Sequence, residues 1–297
     1  MTMIVIFVCI IVLTLSVTAY MVYRLRQQPP VRCSNKITWQ LVGSGMLAFI
    51  ADTLGVGSFA VNIALAKLFG TFSDEELPAM NNGAQLIPGA IESLFFMQFV
   101  EVDLTTLVVL VLGTCAGGLA GGGIVARMSK QTVRLAMMLC FSFIIALLVT
   151  NHLGWLPVGG TATALYSWKL VAGFFGVAIC GALTSVGIGL FAMVQAVLFV
   201  LGISPLVAFP IMMTAGAMQQ PLTTFMFLRH ARNMPIKRIL WVSFGGCLGV
   251  AVTLPVFQYV TVSWLHGLLV AILSFNLVAI SRTYLQSRLQ LPTVAEA

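Results

Sequence analysis

Runs of apolar residues without a single charge recur along the chain: Thr2 to Tyr23, Ile37 to Ala51, Leu77 to Ile91, Leu104 to Ala126, Leu135 to Trp168, Leu170 to Leu228, Ile239 to Leu265 and Gly267 to Ser281. A helix crossing a bilayer needs about 20 such residues, so the pattern predicts an all-α, polytopic membrane protein. The run from Leu170 to Leu228 is too long for one crossing. Helical throughout, it would measure roughly 90 Å at about 1.5 Å per residue, nearly three hydrocarbon cores of about 30 Å. Gly187 and Gly189 interrupt it. The favoured reading is a broken, re-entrant helix pair followed by one full span starting near Pro205; three short crossings fit equally well by parity.

Composition narrows the class. Sixty per cent of the residues are apolar and 8% charged, against about 25% charged in soluble domains, which excludes a soluble fold and a disordered chain. The net charge of +7 marks cytoplasmic loops rather than a nucleic-acid surface. Thirteen of the fifteen basic residues fall in four places: Arg24 to Lys36, Arg127 to Arg134, Arg229 to Arg238, and the tail with Arg282 and Arg288. Assigning these inside puts the N-terminus outside and the C-terminus inside. Asn151 to Tyr166, Tyr259 to His266 and the segment around Glu101 and Asp103 then lie outside. The first run has no basic residues before it and Arg24, Arg26 and Arg32 after it, so it reads as a retained anchor rather than a cleaved signal. Six cysteines without a CxxC pair form neither a disulfide framework nor a zinc site.

Sliding the chain by 132 residues superposes Gly55 on Gly187, Gly57 on Gly189, Phe59 on Phe191, Gly70 on Gly202, Gly113 on Gly245, Cys115 on Cys247 and Gly117 on Gly249. Order preserved over such a length points to duplication. One further residue of offset aligns Pro88 with Pro221 and predicts a second helix irregularity in both copies. Basic Arg229 to Arg238 corresponds to acidic Glu101 and Asp103, and basic Arg127 to Arg134 to an uncharged segment. Opposite charge bias predicts opposite orientation, the inverted-repeat plan of secondary transporters; a same-way duplication with drifted loops is the plainer alternative. The chain thus divides into an anchor with its basic loop (1–36), a first repeat (37–151), an external linker (152–168), a second repeat (169–285) and a cytoplasmic tail (286–297). Each repeat holds a Gly-broken pair and about three spans.

The candidate chemistry lies at the breaks. Asp52-Thr53-Leu54-Gly55-Val56-Gly57-Ser58-Phe59 has its mate in Thr184-Ser185-Val186-Gly187-Ile188-Gly189-Leu190-Phe191. An unwound GxG exposes backbone N–H groups at an inward-pointing helix N-terminus, where anions bind; the alternative is close helix packing by small residues. The candidate substrate residues are Gly55, Gly57, Ser58, Asn62, Asn82 and Gln85 in the first copy, and Ser185, Gly187, Gly189, Gln195, Gln219 and Gln220 in the second. The amides, Asn81 among them, either hydrogen-bond an oxyanion or join helices. Asp52 is read as the one carboxylate well inside a span, either an ion-coupling group or a cap on the break. Lys67 and Glu92 read as span-end residues reaching for the interface. Gly70, near a span end, is expected to tolerate substitution better than Gly57 or Gly189. Nothing nominates an enzyme, a metal site or a cofactor: HExxH, GxSxG and a nucleotide-binding GxxxxGK[ST] loop are absent.

The two Gly-broken halves, Ser93-Leu94-Phe95-Phe96 through Val102-Asp103, Leu112-Gly113-Thr114-Cys115-Ala116-Gly117-Gly118 and Arg127-Met128 resemble the TauE/SafE family of sulfite and organosulfonate exporters over residues 40 to 285. The resemblance implies a permease of the bacterial inner membrane for small sulfur-containing or carboxylate anions. Its glycine motif maps onto Gly55, Gly57, Gly187 and Gly189. The chain departs from the family in having Ser58 after Gly57 and no Pro between Asn62 and Leu65. The implied partners are a small anionic substrate and membrane lipid, with a homo-oligomer allowed and no nucleic acid. A non-transporting assembly protein on the same scaffold is the alternative function.

Overall fold

The computed structural model describes residues 2–29, 33–98, 102–155, 159–231, 234–255 and 265–289. Glu101, most of segment 259–266 and the end of the tail fall outside them. Twelve helices are described: α1 (Thr2–Gln27), α2 (Asn35–Thr53), α3 (Ser58–Phe69), α4 (Leu77–Ala84), α5 (Leu86–Phe96), α6 (Leu104–Val125), α7 (Lys130–His152), α8 (Ser167–Thr184), α9 (Leu190–Val200), α10 (Pro205–His230), α11 (Ile236–Thr253) and α12 (Leu265–Leu289). The described residues contain no strand; one isolated bridge joins Ala162 to Ile203.

Among the described residues four segments, Ile4–Gln27, Leu104–Val125, Lys130–Thr150 and Ile236–Thr253, are long and apolar enough to cross a membrane. Large apolar side chains such as Leu139, Phe175, Leu206 and Phe244 stand exposed on several helices. Such a surface is an aggregation liability in water and an ordinary one in lipid, consistent with a helical membrane protein. Helices α3 and α9, of 12 and 11 residues, reach only about 17 Å and cannot cross.

Proline acts differently in the two places where the alignment pairs it. Pro88 cannot donate to the Ala84 carbonyl four residues back, and the chain breaks there into α4 and α5 with Gln85 as the shared cap. Helix α10 instead runs unbroken through both Pro210 and Pro221, so the expected irregularity at Pro221 does not interrupt that helix. It packs against α6, α5 and α1, and burial among other helices is the setting in which helix proline is tolerated at membrane depth.

The two most extensive interfaces join α6 to α8 and α11 to α2. Both depend on glycine. On α6, Gly113 and Gly117 lie against the carbonyls of Phe174 and Ala178; on α11, Gly245 and Gly249 lie against those of Val42 and Met46. A methyl group at any of them would press into a backbone oxygen, so these residues set how closely the helices approach.

A short segment after α3 is held by charge. Asp74 pairs with Lys67 of α3 and, at 2.5 Å, with Arg134 of α7, while Glu76 pairs with Arg238 of α11 at 2.6 Å. Arg238 also donates to the Thr71 carbonyl and covers the Phe72 ring at 5.0 Å. Lys67 is therefore tied to Asp74 rather than reaching for an interface.

Candidate functional site

The first break follows from two glycines that no other residue replaces without strain. Helix α2 ends at Thr53, and Gly55 (φ 92°) and Gly57 (φ 90°) turn the chain before α3 starts at Ser58. Asp52, 1% exposed, folds back over the break. Its Oδ1 accepts from the Ser58 backbone N–H at 2.7 Å and its Oδ2 from Gln85 Nε2 at 2.6 Å. Ser58 Oγ donates to Gln85 Oε1 at 2.6 Å, closing a ring of three residues in which Ser58 takes part through both its backbone N–H and its hydroxyl. Asp52 thus caps α3 in the manner of an N-cap carboxylate. Beside it lies Glu92, fully buried. Its Oε1 accepts from Thr53 Oγ1 at 2.6 Å, so the residue next to Asp52 holds the Glu92 carboxyl at the end of α2. Asp52 is therefore not a lone intramembrane carboxylate, and Glu92 does not reach for the interface. The reason is register: Glu92 follows Gln85 by seven residues, two helical turns, on one face.

The second break is chemically different. Thr184, the mate of Asp52, donates to its own helix at Cys180 O, and Ser185 donates to the Gly118 and Gly181 carbonyls. Gly187 has φ 103°, whereas Gly189, with φ −58° and ψ 134°, adopts a conformation open to any residue. No side chain caps the start of α9. The two breaks are linked through Asn81, whose Nδ2 donates to Phe59 O at 3.3 Å and Gly187 O at 3.1 Å. Asn82 donates to Pro78 O and Thr184 O.

A cavity of about 40 Å³ opens where the breaks meet, lined by Gly55, Gly57 and Ala60 from one side and Gly189, Phe191 and Gln195 from the other. Phe141, Ile144 and Leu148 of α7 and Leu273 of α12 complete an apolar wall. A water needs about 10–15 Å³ of such space, so the cavity suits a few water-sized groups. A second, smaller cavity holds Gln85, Glu92 and Gln220. Phe191 borders both cavities.

Six of the expected residues therefore line open space: Gly55, Gly57, Gly189 and Gln195 in the larger cavity, Gln85 and Gln220 in the smaller. Ser58, Asn82, Ser185 and Gln219 are buried in hydrogen bonds to protein; Gln219 Nε2 donates to Thr223 Oγ1 at 2.5 Å. Gly187 borders Pro78 and Asn81 rather than either cavity. Asn62 is 2% exposed with neither amide atom hydrogen-bonded, and it lines neither cavity. Residues the sequence reasoning missed are Glu92, Thr53 and Phe191. A carboxylate two turns from Gln85 was the legible signal for Glu92; the Phe191 position needs the fold.

No cluster of three or more His, Cys, Asp or Glu suited to a metal ion occurs among the described residues. No family model matches the chain, and no curated protein or solved structure matches it.

Proposed function

We propose that the protein is a secondary transporter for a small anion, such as sulfite, an organosulfonate or a small carboxylate, working by alternating access of two inverted halves in the bacterial inner membrane. The resemblance to TauE/SafE exporters belongs to this reading. The observation that carries it is the meeting of the two glycine breaks: Gly55 and Gly57 from one half and Gly189 from the other border one cavity. Broken helices facing each other at a repeat interface are the transporter arrangement.

Duplication is supported by matched contacts. The pairs Gly113–Phe174 and Gly245–Val42 differ by 132 residues in both partners, as do Gly117–Ala178 and Gly249–Met46. Inversion is supported by where the short helices return. Helix α3 ends at the ion-paired segment beside Arg134 and Arg238, residues of the Lys- and Arg-rich segments read as cytoplasmic. Helix α9 ends where Gly160 N donates to Ile203 O and Ala162 N to Gly202 O, in the linker that lacks basic residues. The two broken pairs then enter from opposite faces, and the N-terminus lies outside and the C-terminus inside.

Amides and backbone N–H groups recognise an anion without fixed positive charge, which favours release as well as binding. In this reading Asp52 serves ion coupling as well as capping. The test is flux: purified protein in liposomes is expected to move sulfite, a sulfonate or a small carboxylate down its gradient. An accessory protein on the same scaffold would move none of them.

A further inference from the structure

We infer that Asp52 and Glu92 hold one proton between them, and that this proton is bound and released together with the anion, making the protein a proton–anion symporter. This rests on the transport reading above and names its coupling ion and the site of that ion.

The geometry leaves one vacancy. Both Asp52 oxygens accept from N–H donors, Ser58 N and Gln85 Nε2, and Glu92 Oε1 accepts from the Thr53 hydroxyl. Glu92 Oε2 is buried without a donor, and the two carboxyls share one neighbourhood: Thr53, the residue after Asp52, bonds Glu92, and Gln85, which bonds Asp52, lines one cavity with Glu92. A proton on Glu92 Oε2, donated towards the Asp52 carboxylate, satisfies the orphaned oxygen and removes the repulsion between two buried charges with a single particle. A metal cation would need several oxygens converging on one point, and those of Asp52 are already committed. The groups around the pair are Thr53 of α2, Ser58 of α3, Gln85 between α4 and α5 and Gln220 of α10. Among the described residues neither carboxyl is in an ion pair, so no such pairing takes the proton's place.

Coupling follows from adjacency. Asp52 caps the break whose Gly55 and Gly57 line the larger cavity, the anion site proposed above, and Glu92 lines the smaller cavity beside it, so an anion in the larger cavity is a neighbour of the pair. With both carboxyls ionised, the pair repels such an anion through a low-dielectric interior; with the proton in place the repulsion falls. Proton and anion therefore favour each other's binding, reciprocally. On release the proton leaves Glu92 for water at the smaller cavity, and the anion departs from the larger one.

The test measures protons moved per anion in proteoliposomes with the membrane potential clamped, using methanesulfonate, which has no titratable proton near neutral pH, and sulfite. In wild type, anion entry is expected to acidify the lumen with one proton per anion. A one-unit pH gradient is then expected to drive about tenfold accumulation. In Glu92→Gln, and separately in Asp52→Asn, protons per anion are expected to fall to none whatever the rate. Infrared difference spectra of the purified protein give a readout independent of flux: a protonated-carboxyl C=O band in wild type that Glu92→Gln removes. Anion flux without acidification in wild type, or acidification that survives both variants, overturns the shared proton and leaves transport standing. Absence of flux for either anion overturns the transport reading and the symport with it, and a missing infrared band overturns the shared proton.

Discussion

Gly57 and Gly189 are mates in the repeat, yet the structure expects them to respond differently to the same substitution. Gly57 sits at φ 90° and ψ 127°, a region reserved almost entirely for glycine, and a Cβ built there meets nothing within 4 Å. Gly57→Ala therefore costs backbone strain alone, about 1–3 kcal/mol for a residue held in such a region. At 1.4 kcal/mol per tenfold, the native break loses population about 5- to 150-fold relative to relaxed alternatives. The melting temperature in detergent is expected to fall by about 2–12 °C, taking 2–4 °C per kcal/mol for a chain of roughly this size. Gly189 has φ −58° and ψ 134°, and its nearest neighbour to an added Cβ is Phe59 Cβ at 4.0 Å, so Gly189→Ala adds no backbone strain and keeps the melting temperature. Thermal unfolding followed by size-exclusion fluorescence, with anion flux measured on the same preparations, separates the two. Equal melting temperatures for the two variants would refute the assignment of strain to the first break.

Gly245→Ala is expected to lower the melting temperature by the equivalent of about 1–3 kcal/mol, the usual scale of overpacking, because the methyl meets the Val42 carbonyl; Gly43→Ala, with nothing within 4 Å, is the control in the same assay. Asp74→Asn leaves Lys67 and Arg134 without their shared carboxylate in a buried setting and is expected to destabilise by about 3–5 kcal/mol, read by thermal unfolding. Asp103 accepts from the Thr106 backbone N–H at 2.8 Å and its hydroxyl at 2.7 Å, and these bonds hold its carboxyl below the usual range. Its contribution is present above the unfolded value near 3.9 and lost as pH falls through the lower folded value, so Asp103→Ala is expected to destabilise at neutral pH and match wild type in strong acid.

Much of the helical pattern was legible because charge-free runs report membrane helices directly. The breaks at Gly55–Gly57 and Gly187–Gly189 were legible as paired glycines beside hydroxyls in apolar surroundings. What decides a single residue's role was not. Glu92 looked like a span-end residue, since the chain leaves the charge-free run at Ile91, but α5, starting after the interruption at Gln85, carries it fully buried to the Thr53 hydroxyl at the end of α2. Pro88 and Pro221 look alike in sequence, and only the packing around α10 distinguishes a helix end from an uninterrupted helix. Gly70 was expected to tolerate substitution better than Gly57 or Gly189; it forms the left-handed cap of α3 with φ 63°, so a β-branched residue there is strained too. Ser185 and Gln219 carried the same polar signal as Gln195 and Gln220, but donate to protein oxygens; which amide faces space depends on helix rotation, and a sequence of nearly uniform hydrophobicity does not report it.

The central claim is that the cavity between the two breaks is one anion site reached in turn from each face. The most direct test places a single cysteine at Ala192, which lines that cavity, in a background where the six native cysteines are replaced. A membrane-impermeant thiol reagent is added to oriented vesicles from one face and then the other, with and without sulfite. Labelling from both faces, slowed by sulfite over the concentration range that supports flux, is the expected result. Labelling from one face only, or labelling that sulfite does not slow, would contradict a shared, alternately exposed site.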